Sequence, residues 1–495
     1  MKKYIREYWP YLLALFPALL LRDFTPASEL RYVSLASELL KNGHFFCLEW
    51  QGEAYPHVMP FYVWLIALLK LIFQHHYMIT ITLLFSFVPS IVVLAVMNRW
   101  VERYDTASFR LKDGSQSRIL ASIMLFTCGM QLAMAFFVSP DMLFEMWIVL
   151  ALYTFWRLVC GVGAYGQPSP DRKDSKRLQW YFGLFVFLAI FTKGPLGLIL
   201  PLISTTFYLA LSRKIKLWGR VWHWRSCLVI VSLLTLWCFL TYLEGGVEWI
   251  KMMLIDVPIG HFANPLSHNQ PWYYYMVSLW ADTIPWGPVA IVVLIVSLIR
   301  RIHHKESHWR KPFATPLQNF FVMTFTLFFV YFSVRSYKLD VNMLPAYPFL
   351  VYAGVMQLGQ WRWPVRWNWP MIWICRSVLV LIFIAGCMCP WLNINIGCYG
   401  RVCYRANRLQ REMKTERTYV YKLRRAQGMD VYLTDNPIDA SLEDIAQGKL
   451  RNTLLIMKEY RLKSLRRELS ELGVPDERQG TVVSELGAYV ILHFE

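Results

Sequence analysis

The stretch Leu184–Leu202, LFVFLAIFTKGPLGLILPL, is apolar at almost every position, and its one charged residue is Lys193. A run of this length with so little charge is typical of helices that cross a bilayer. The chain contains many such runs: of its 495 residues, 56% are hydrophobic, 16% are aromatic and only 17% are charged. A water-soluble protein of this size could not bury that much apolar surface. The composition therefore predicts a mainly α-helical polytopic membrane protein.

Apolar runs of spanning length predict about eleven transmembrane helices within residues 1–392. The first run ends at Leu21 without a small-residue cleavage site, so we expect a retained span rather than a signal peptide. The other runs lie near 76–98, 119–138, 142–159, 179–192, 196–212, 227–243, 284–299, 318–334, 343–361 and 370–392. Between the first two spans, the pattern predicts an amphipathic helix over Glu29–Leu40 and a surface helix over Pro60–Phe73.

The basic residues lie in clusters between the apolar runs. Lys and Arg outnumber Asp and Glu by 51 to 33, and a net charge of +18 would usually suggest nucleic-acid binding. The clusters, such as 99–118 and 213–225, instead match the positive-inside rule for cytoplasmic loops. If Pro60–Phe73 lies on the membrane surface, all of these basic clusters fall on the cytoplasmic side. If Pro60–Phe73 crosses the membrane as a twelfth span, the clusters that follow it fall on the opposite side. We therefore expect eleven spans, a cytoplasmic N-terminus and no nucleic-acid partner.

A small α/β domain over residues 393–495 is predicted to follow the spans. Its predicted strands are Met429–Asp435, Thr453–Tyr460 and Thr481–Phe494, with helices near 439–447 and 461–472. An odd number of spans places this domain on the extracytoplasmic face, together with the outer-face loops 23–75 and 244–283. Two of the ten cysteines, Cys398 and Cys403, lie where an oxidising compartment would let them pair.

Charged residues at an outer face need a specific reason, because the positive-inside rule removes most Lys and Arg from that side. Lys193 interrupts an apolar stretch, which indicates either a cation that lines a cavity or one that snorkels to the head groups. Arg335 and Lys338 are three residues apart and suit either a substrate phosphate or lipid head groups. Glu29 and Asp141 would each be a helix cap or an interfacial residue if alone. Beside three cations on one face, they become candidates for proton transfer.

Five short segments, taken in their order along the chain, carry a family resemblance. They are Ser28–Tyr32, Asp141, Thr192–Pro195, His268–Tyr274 and Lys338–Pro345. The set resembles the membrane-embedded GT-C glycosyltransferases of the protein O-mannosyltransferase and lipid A aminoarabinose transferase type. The likeness covers residues 1–390, and the small α/β tail also resembles the aminoarabinose transferases.

The resemblance implies a polyprenyl-phosphate sugar as donor, with its lipid between the spans and its phosphate on the outer-face cations. The substrate-binding residues that it implies are Arg31, Tyr32, Lys193, Arg335 and Lys338. Asp141 would line the pocket for the sugar and the acceptor. Cations in a cleft of low dielectric constant stabilise charge that develops on a phosphodiester leaving group, while a carboxylate takes the acceptor's proton.

The first departure from the family pattern concerns the general base. The family's first loop usually carries a pair of acidic residues, whereas this chain has Ser28-Glu29. One of the carboxylates often assigned as base is therefore missing. Either Glu29 or Asp141 is expected to act in its place, and Glu29 is the preferred candidate because Arg31 lies two residues on.

The second departure concerns a metal. A Lys-Pro motif of the family is replaced by His57-Val58-Met59-Pro60. His57 stands where related enzymes have a Glu that shares a metal with the histidine matching His268. The resemblance thus implies a divalent cation, Zn²⁺ or Mg²⁺/Mn²⁺, on His57 and His268, with Glu53 or His261 as a third ligand. The other interpretation is that both histidines are hydrogen-bonded structural residues.

Two functions follow from these patterns. The first is a glycosyltransferase of a bacterial inner membrane, which moves a sugar from a polyprenyl-phosphate donor to an outer-leaflet glycolipid such as lipid A, a glycan or a protein hydroxyl. The second is a non-enzymatic binder or translocator of polyprenyl-linked sugars, which the missing acidic residue would permit. A secondary transporter would show inverted repeats, and none is evident.

Overall fold

The computed structural model describes residues 2–26, 29–50, 52–73, 77–105, 114–159, 172–257, 270–303, 315–360, 365–391, 398–423, 426–434 and 437–494. Within these ranges the chain is mainly helical and ends in a small mixed sheet, as the sequence predicts. Ser28, His261 and His268 lie outside the described residues.

Helices make up most of the first 391 residues. In chain order they are α1 (Lys2–Leu21), α2 (Glu29–Asn42), α3 (Pro60–Phe73), α4 (Tyr77–Thr82), α5 (Val88–Tyr104), α6 (Gly114–Phe126), α7 (Gly129–Phe136), α8 (Asp141–Val159), α9 (Arg172–Lys193), α10 (Leu196–Leu211), α11 (Trp218–Val221), α12 (Trp224–Lys251), α13 (Tyr274–Asp282), α14 (Trp286–His303), α15 (Pro316–Val334), α16 (Tyr347–Gln360) and α17 (Val365–Cys387). Short 3-10 helices cover Ile215–Leu217 and Asp340–Ala346, and π-helical turns cover Leu83–Phe87 and Met252–Asp256. A two-stranded hairpin, β1 (Glu49–Trp50) and β2 (Glu53–Ala54), lies between α2 and α3.

Several of these helices are long and apolar enough to cross a membrane. Within the described ranges they are Tyr77–Tyr104, Asp141–Val159, Trp224–Asp256 and Pro316–Val334. Two sharply bent helix pairs, Arg118–Phe126 with Gly129–Phe136 and Tyr274–Asp282 with Trp286–Arg300, raise the number from 4 to as many as 6 if each pair is one span. These apolar helices identify an integral membrane protein.

The two bent pairs contact each other at their bends. The backbone N–H of Gly129 donates to the Ile284 carbonyl at 2.9 Å, and the Trp286 indole donates to Thr127 Oγ1 at 2.7 Å. A Cβ at Gly129 would lie 3.2 Å from the Asp282 carbonyl oxygen. Glycine therefore permits this close approach of two backbones, which the predicted continuous span over 119–138 did not anticipate.

The C-terminal part forms a five-stranded mixed sheet with helices. Its elements are α18 (Gly400–Met413), β3 (Arg417–Val420), a 3-10 helix (Ala426–Val431), β4 (Ile438–Asp439), α19 (Leu442–Ala446), β5 (Thr453–Lys458), α20 (Leu462–Glu471), β6 (Thr481–Leu486) and β7 (Tyr489–Phe494). The strand order is β4-β3-β5-β7-β6, parallel between β4, β3 and β5 and antiparallel between β5, β7 and β6. The predicted strand over Met429–Asp435 is wrong, because that segment begins within a 3-10 helix. Cys398 and Cys403 are buried free thiols.

Strand β5 is buried on both faces, which explains its continuous apolar sequence. Leu454 and Ile456 join the large hydrophobic core that extends into the membrane part, whereas Leu455 and Met457 join a second core under α19 and α20. Successive side chains of a strand point to opposite faces. The sheet therefore lies between the membrane part and its own helices.

The C-terminal domain also packs on α2 through the 3-10 helix Ala426–Val431. The Ser34 hydroxyl donates to Asp430 Oδ2 at 2.7 Å. A Cβ at Gly428 would lie 2.8 Å from the Leu30 Cβ, so the two backbones approach closely. Helix α2, which carries several predicted site residues, is thus fixed from the side of the C-terminal domain.

Candidate active site

Asp141 and Lys193 form an ion pair at the ends of two packed helices. Helix α8 begins at Asp141, α9 ends at Lys193, and the Lys193 Nζ contacts Asp141 Oδ1. Gly194 ends α9 because its φ of 70° is a left-handed conformation that few other residues adopt. Only 11% of the Asp141 side chain and 20% of the Lys193 side chain are exposed. Asp141 and Lys193, two predicted site residues that lie 52 positions apart in the sequence, are therefore direct partners.

Arg31 and three tyrosines, Tyr32, Tyr55 and Tyr62, form a cluster beside the Asp141–Lys193 pair. Arg31 lies over the Tyr32 ring at 5.2 Å from its centroid and donates to the Tyr55 hydroxyl at 3.3 Å. The Tyr32 ring meets the Tyr62 ring edge-on at 5.4 Å. Burial raises the pKa of the Tyr32 hydroxyl to about 12, with Arg31 lowering it and Asp141 raising it. Tyr32 is therefore a neutral hydroxyl donor at neutral pH.

The Arg31 guanidinium has an unsatisfied donor. Its Nε is buried without a hydrogen-bond partner among the described residues, and no carboxylate in the described part of the chain forms an ion pair with it. A buried donor without a partner costs free energy, on the order of 1–3 kcal/mol. Arg31 is therefore suited to bind an anionic ligand, because an oxygen of that ligand would accept the hydrogen bond that Nε lacks.

Tyr337, in the loop after α15, lies between the Arg31 cluster and the Asp141–Lys193 pair. Its hydroxyl interacts electrostatically with Arg31, Arg335, Tyr55 and Asp141. Burial raises the pKa of Tyr337, while the two arginines lower it. Tyr337 thus links the predicted residues Arg31, Asp141 and Arg335, while Tyr32 lies against Arg31 and Lys193 pairs with Asp141.

Glu29 lies at the centre of a hydrogen-bond network in the protein interior. It is fully buried and accepts from both Nη atoms of Arg22, at 2.6 and 2.7 Å. The Thr25 N–H and hydroxyl donate to the same carboxylate at 2.8 and 3.0 Å, and the Val138 N–H donates at 2.7 Å. Both oxygens are therefore occupied. A general-base role for Glu29 stays a prediction, and its surroundings favour a structural role.

Arg22 completes this network from the end of α1. Its guanidinium also donates to the Phe136 carbonyl at 2.8 Å, and it lies 4.8 Å from the Phe137 ring centroid. Arg22 and Glu29 together hold residues 136–138, which lead directly into Asp141. We infer that the pair positions the start of α8.

Lys338 is buried and its ammonium is directed to backbone carbonyls. Only 3% of the residue is exposed. Its Nζ donates to the Gln270 carbonyl at 3.0 Å and to the Arg335 carbonyl. These contacts connect the loop after α15 to the segment before α13. Two of the three Lys338 N–H donors are thus used within the protein. Phosphate binding by Lys338 stays a prediction.

The described residues do not provide a metal site at His57. They include no group of three or more His, Cys, Asp or Glu side chains arranged to hold a metal ion. His57 contacts the Tyr55 ring, and burial together with the nearby Arg31 cation lowers its pKa. A guanidinium beside the imidazole disfavours a divalent cation there. His268 and His261, two of the proposed co-ligands, lie outside the described residues, so the metal stays a prediction.

Sequence reasoning missed Arg22, Tyr55 and Tyr337. Arg22 follows an apolar helix directly, and a charge at that position is usually explained by the membrane interface. Tyr337 lies between the two predicted cations Arg335 and Lys338, and this adjacency is a usable signal. Tyr55 gives no comparable sign, because only the hairpin β1–β2 brings it to Arg31.

The chain is similar in sequence to proteins from several bacteria. It is 24% identical over 348 residues to an uncharacterized protein of Aquifex aeolicus, an alignment that covers 70% of this chain and 62% of that one. It is also 24% identical over 326 residues to the undecaprenyl phosphate-α-4-amino-4-deoxy-L-arabinose arabinosyl transferase of Shewanella sediminis, covering 66% and 54%. The chain thus spans little more than half the length of these relatives. No protein-family model matches it.

A solved structure extends the likeness to nearly the whole chain. The crystal structure of ArnT from Cupriavidus metallidurans, bound to undecaprenyl phosphate, superposes with a TM-score of 0.71 at 14% identity. The superposition covers 99% of this chain and 97% of that one. The chain therefore has the ArnT fold, and the resemblance to membrane-embedded GT-C glycosyltransferases of the aminoarabinose transferase type is confirmed.

Proposed function

We propose that this protein is a glycosyltransferase that uses a polyprenyl-phosphate sugar as donor. The acceptor is an outer-leaflet glycolipid of the lipid A kind, a glycan or a protein hydroxyl. The observation that carries the proposal is the Asp141–Lys193 ion pair beside Arg31, whose buried Nε lacks a partner among the described residues. Similarity to an undecaprenyl phosphate-aminoarabinose transferase and to a structure with bound undecaprenyl phosphate supports it.

The ion pair suggests how donor binding prepares the base. In the pair, Lys193 neutralises the carboxylate of Asp141 and occupies one of its oxygens. A donor phosphate competes for the ammonium, because charge-assisted hydrogen bonds to phosphate are strong. When Lys193 moves to the phosphate, Asp141 is released. The carboxylate becomes available as a base only when the donor is present.

The transfer step follows from these positions. The acceptor oxygen attacks the anomeric carbon, and its proton passes to Asp141. The bond between the anomeric carbon and the phosphate oxygen breaks, and the electron pair leaves with the polyprenyl phosphate. Lys193 and Arg31 stabilise the negative charge on this leaving group, and the neutral Tyr32 hydroxyl is available to donate a hydrogen bond. The product sugar has inverted configuration.

A matched set of substitutions tests this mechanism. Lys193→Met should reduce transfer by ~10²-fold or more, and Asp141→Asn by ~10²–10⁴-fold. The controls are Lys216→Met and Asp174→Asn, which make the same chemical changes at exposed positions. The assay follows release of undecaprenyl phosphate from an undecaprenyl phosphate-aminoarabinose donor with lipid A as acceptor.

The outcomes separate the candidate functions. If Lys193→Met and Asp141→Asn both transferred sugar at the wild-type rate, the ion pair would have no role in the reaction. A wild-type chain that binds undecaprenyl phosphate yet transfers no sugar to any acceptor would be the binder or translocator. Mass spectrometry of membrane glycolipids and secreted glycoproteins from a deletion strain would identify the sugar and the acceptor.

We also infer the orientation of the protein from its charge distribution. The eleven-span arrangement has a cytoplasmic N-terminus, and the active site and the C-terminal domain are extracytoplasmic, in a bacterial inner membrane. The basic loops support this orientation under the positive-inside rule. A reporter fused after Asn393 should be active only outside the cytoplasm, and reporters at Ser115 or His304 only inside. A cytoplasmic signal from the fusion after Asn393 would overturn the outer-face site.

A further inference from the structure

Helix α18 has one face in the protein interior and one strongly basic face. Its buried residues include Val402, Cys403, Ala406 and Leu409, which recur at helical spacing. The outward face carries four arginines, and a groove of about 690 Å³ runs along it. The groove is lined by Arg401, Tyr404, Arg405, Asn407, Arg408, Arg411 and Glu412.

The positive charge of this face is only partly compensated. Arg408 pairs with Glu412 at 2.7 Å, and Arg401 is close enough to Asp23 to lower the pKa of that carboxyl, which burial raises. Arg405 and Arg411 form no ion pair in the part of the chain that the structure describes. An excess of guanidinium groups along one helical face is suited to phosphate, which Arg binds through two parallel hydrogen bonds.

The start of α18 lies at the ends of two apolar helices. Helix α17 packs along α1, and Asp23 follows the end of α1. A Cβ at Gly400 would lie 2.6 Å from the Asp23 carboxylate, so α18 begins where α1 ends. Trp391, before α18, is 61% exposed, and Tyr404 on its outer face is 75% exposed. Exposed Trp and Tyr residues are enriched at the membrane–water interface.

We propose that the basic face of α18 binds the phosphate head groups of anionic lipids in the leaflet where α1 and α17 end. The arginines meet the phosphates, while the buried face keeps the helix attached to the protein. Electrostatic complementarity identifies this occupant, because a row of cations beside an interface attracts anionic lipid. Since the opposite face of α18 packs into the core, lipid binding fixes the C-terminal domain relative to the bilayer.

Lipid binding by the full-length chain tests this surface. The protein is purified in neutral detergent and titrated with phosphatidylglycerol or phosphatidylcholine, and bound lipid is counted by native mass spectrometry. The variant R401Q/R405Q/R408Q/R411Q keeps the helix-forming tendency and removes the charge. The control R451Q/K463Q/R466Q/R467Q removes the same charge from exposed positions on and near α20.

Each cation near an anionic surface changes binding roughly fivefold. Arg401 and Arg408 already face carboxylates, so the two arginines without ion pairs, Arg405 and Arg411, set the expected effect. We therefore expect the α18 variant to lose the preference for phosphatidylglycerol by roughly 25-fold, the product of two fivefold steps, and the control to keep it. Added salt should weaken the wild-type preference. Equal preference in the wild type and the α18 variant, or an equal loss in the control, would overturn the proposal. Displacement of phosphatidylglycerol by inorganic phosphate at constant ionic strength would also overturn it, because the site would then be one for free phosphate.

Two further measurements keep the result interpretable. The melting temperature of the α18 variant should match that of the wild type, since its substitutions leave the buried face of α18 intact. A variant that melts early is replaced by R405Q/R411Q, which changes only the two arginines without ion pairs. Undecaprenyl phosphate binding should survive in both variants. The proposal of a lipid-binding surface and the proposal of a transfer site can thus be refuted independently of each other.

Discussion

The substitution Glu29→Gln separates a catalytic role for Glu29 from a structural one. In the structure, one carboxylate oxygen accepts from Arg22 and the Val138 N–H, and the other accepts from Arg22 and from both donors of Thr25. A glutamine amide has one oxygen and one NH₂ group. Whichever way it is placed, its NH₂ group faces at least two N–H donors and accepts from neither.

The magnitude follows from burial. Glu29 is fully buried, and only 11% of the Arg22 side chain is exposed, so the substitution leaves an interior guanidinium without its countercharge. Removing one partner of a buried ion pair costs about 3–5 kcal/mol. We therefore expect Glu29→Gln to lower the melting temperature of the purified protein clearly. Loss of activity would then follow from misplacement of Asp141.

A double substitution provides the decisive comparison. Replacing both partners of a buried pair by apolar residues is often nearly neutral. Arg22→Met with Glu29→Met should therefore recover most of the stability lost in Glu29→Gln. It should also recover some transfer activity if Glu29 only positions Asp141. A Glu29→Gln protein that melts like the wild type but transfers sugar ~10²–10⁴-fold more slowly would refute this reasoning and identify Glu29 as the base.

The remaining predictions concern the loops and the domain contact around the site. Lys338→Met should cost about 1–3 kcal/mol of stability, because the substitution removes a buried ammonium that donates to the Gln270 and Arg335 carbonyls; unchanged melting with lost undecaprenyl phosphate binding would instead make Lys338 a phosphate ligand. Burial raises the pKa of Asp430, opposed by the Ser34 hydroxyl and by Lys41 and Lys70. The folded protein thus binds the carboxyl proton of Asp430 more tightly than the unfolded chain does. The contribution of Asp430 to stability is therefore full below the usual carboxyl pKa, and it is lost as the pH rises through the pKa that Asp430 has in the folded state. Limited proteolysis across this pH range should show the C-terminal domain becoming more susceptible as pH rises, and Asp430→Asn should flatten that dependence.

Features with a local signal were predicted correctly from the sequence. The helix over Pro60–Phe73 has the predicted bounds, and α2 begins at the predicted Glu29. Both follow from apolar spacing and from the turn residues beside them. The positions of Asp141 and Lys193 at helix ends also have local causes, since one helix begins after Pro140 and another ends before Gly194. Their ion pair joins residues 52 positions apart and was not predicted.

Features that depend on distant contacts were not predictable. Glu29 accepts a hydrogen bond from the N–H of Val138, 109 residues further along the chain, and no residue near Glu29 in the sequence indicates that partner. Lys338 has the spacing of a phosphate ligand but finds backbone carbonyls of its own protein. The segment Met429–Asp435 has the apolar content of a strand, yet it begins in a 3-10 helix that packs on α2. In each case tertiary contacts decide between alternatives that the local sequence leaves open.

The position of α2 explains why the missing acidic residue need not abolish chemistry. Glu29, at the start of α2, fixes the segment that leads to Asp141, and two residues later the same helix presents Arg31 to the tyrosine cluster. The other side of α2 is held by Ser34 against Asp430 of the C-terminal domain. One helix thus positions both Arg31, the proposed phosphate ligand, and the segment that leads to Asp141, the proposed base. A structural role for Glu29 leaves Asp141 as the base, and the Arg22–Glu29 pair then acts by keeping that single carboxylate within reach of Lys193.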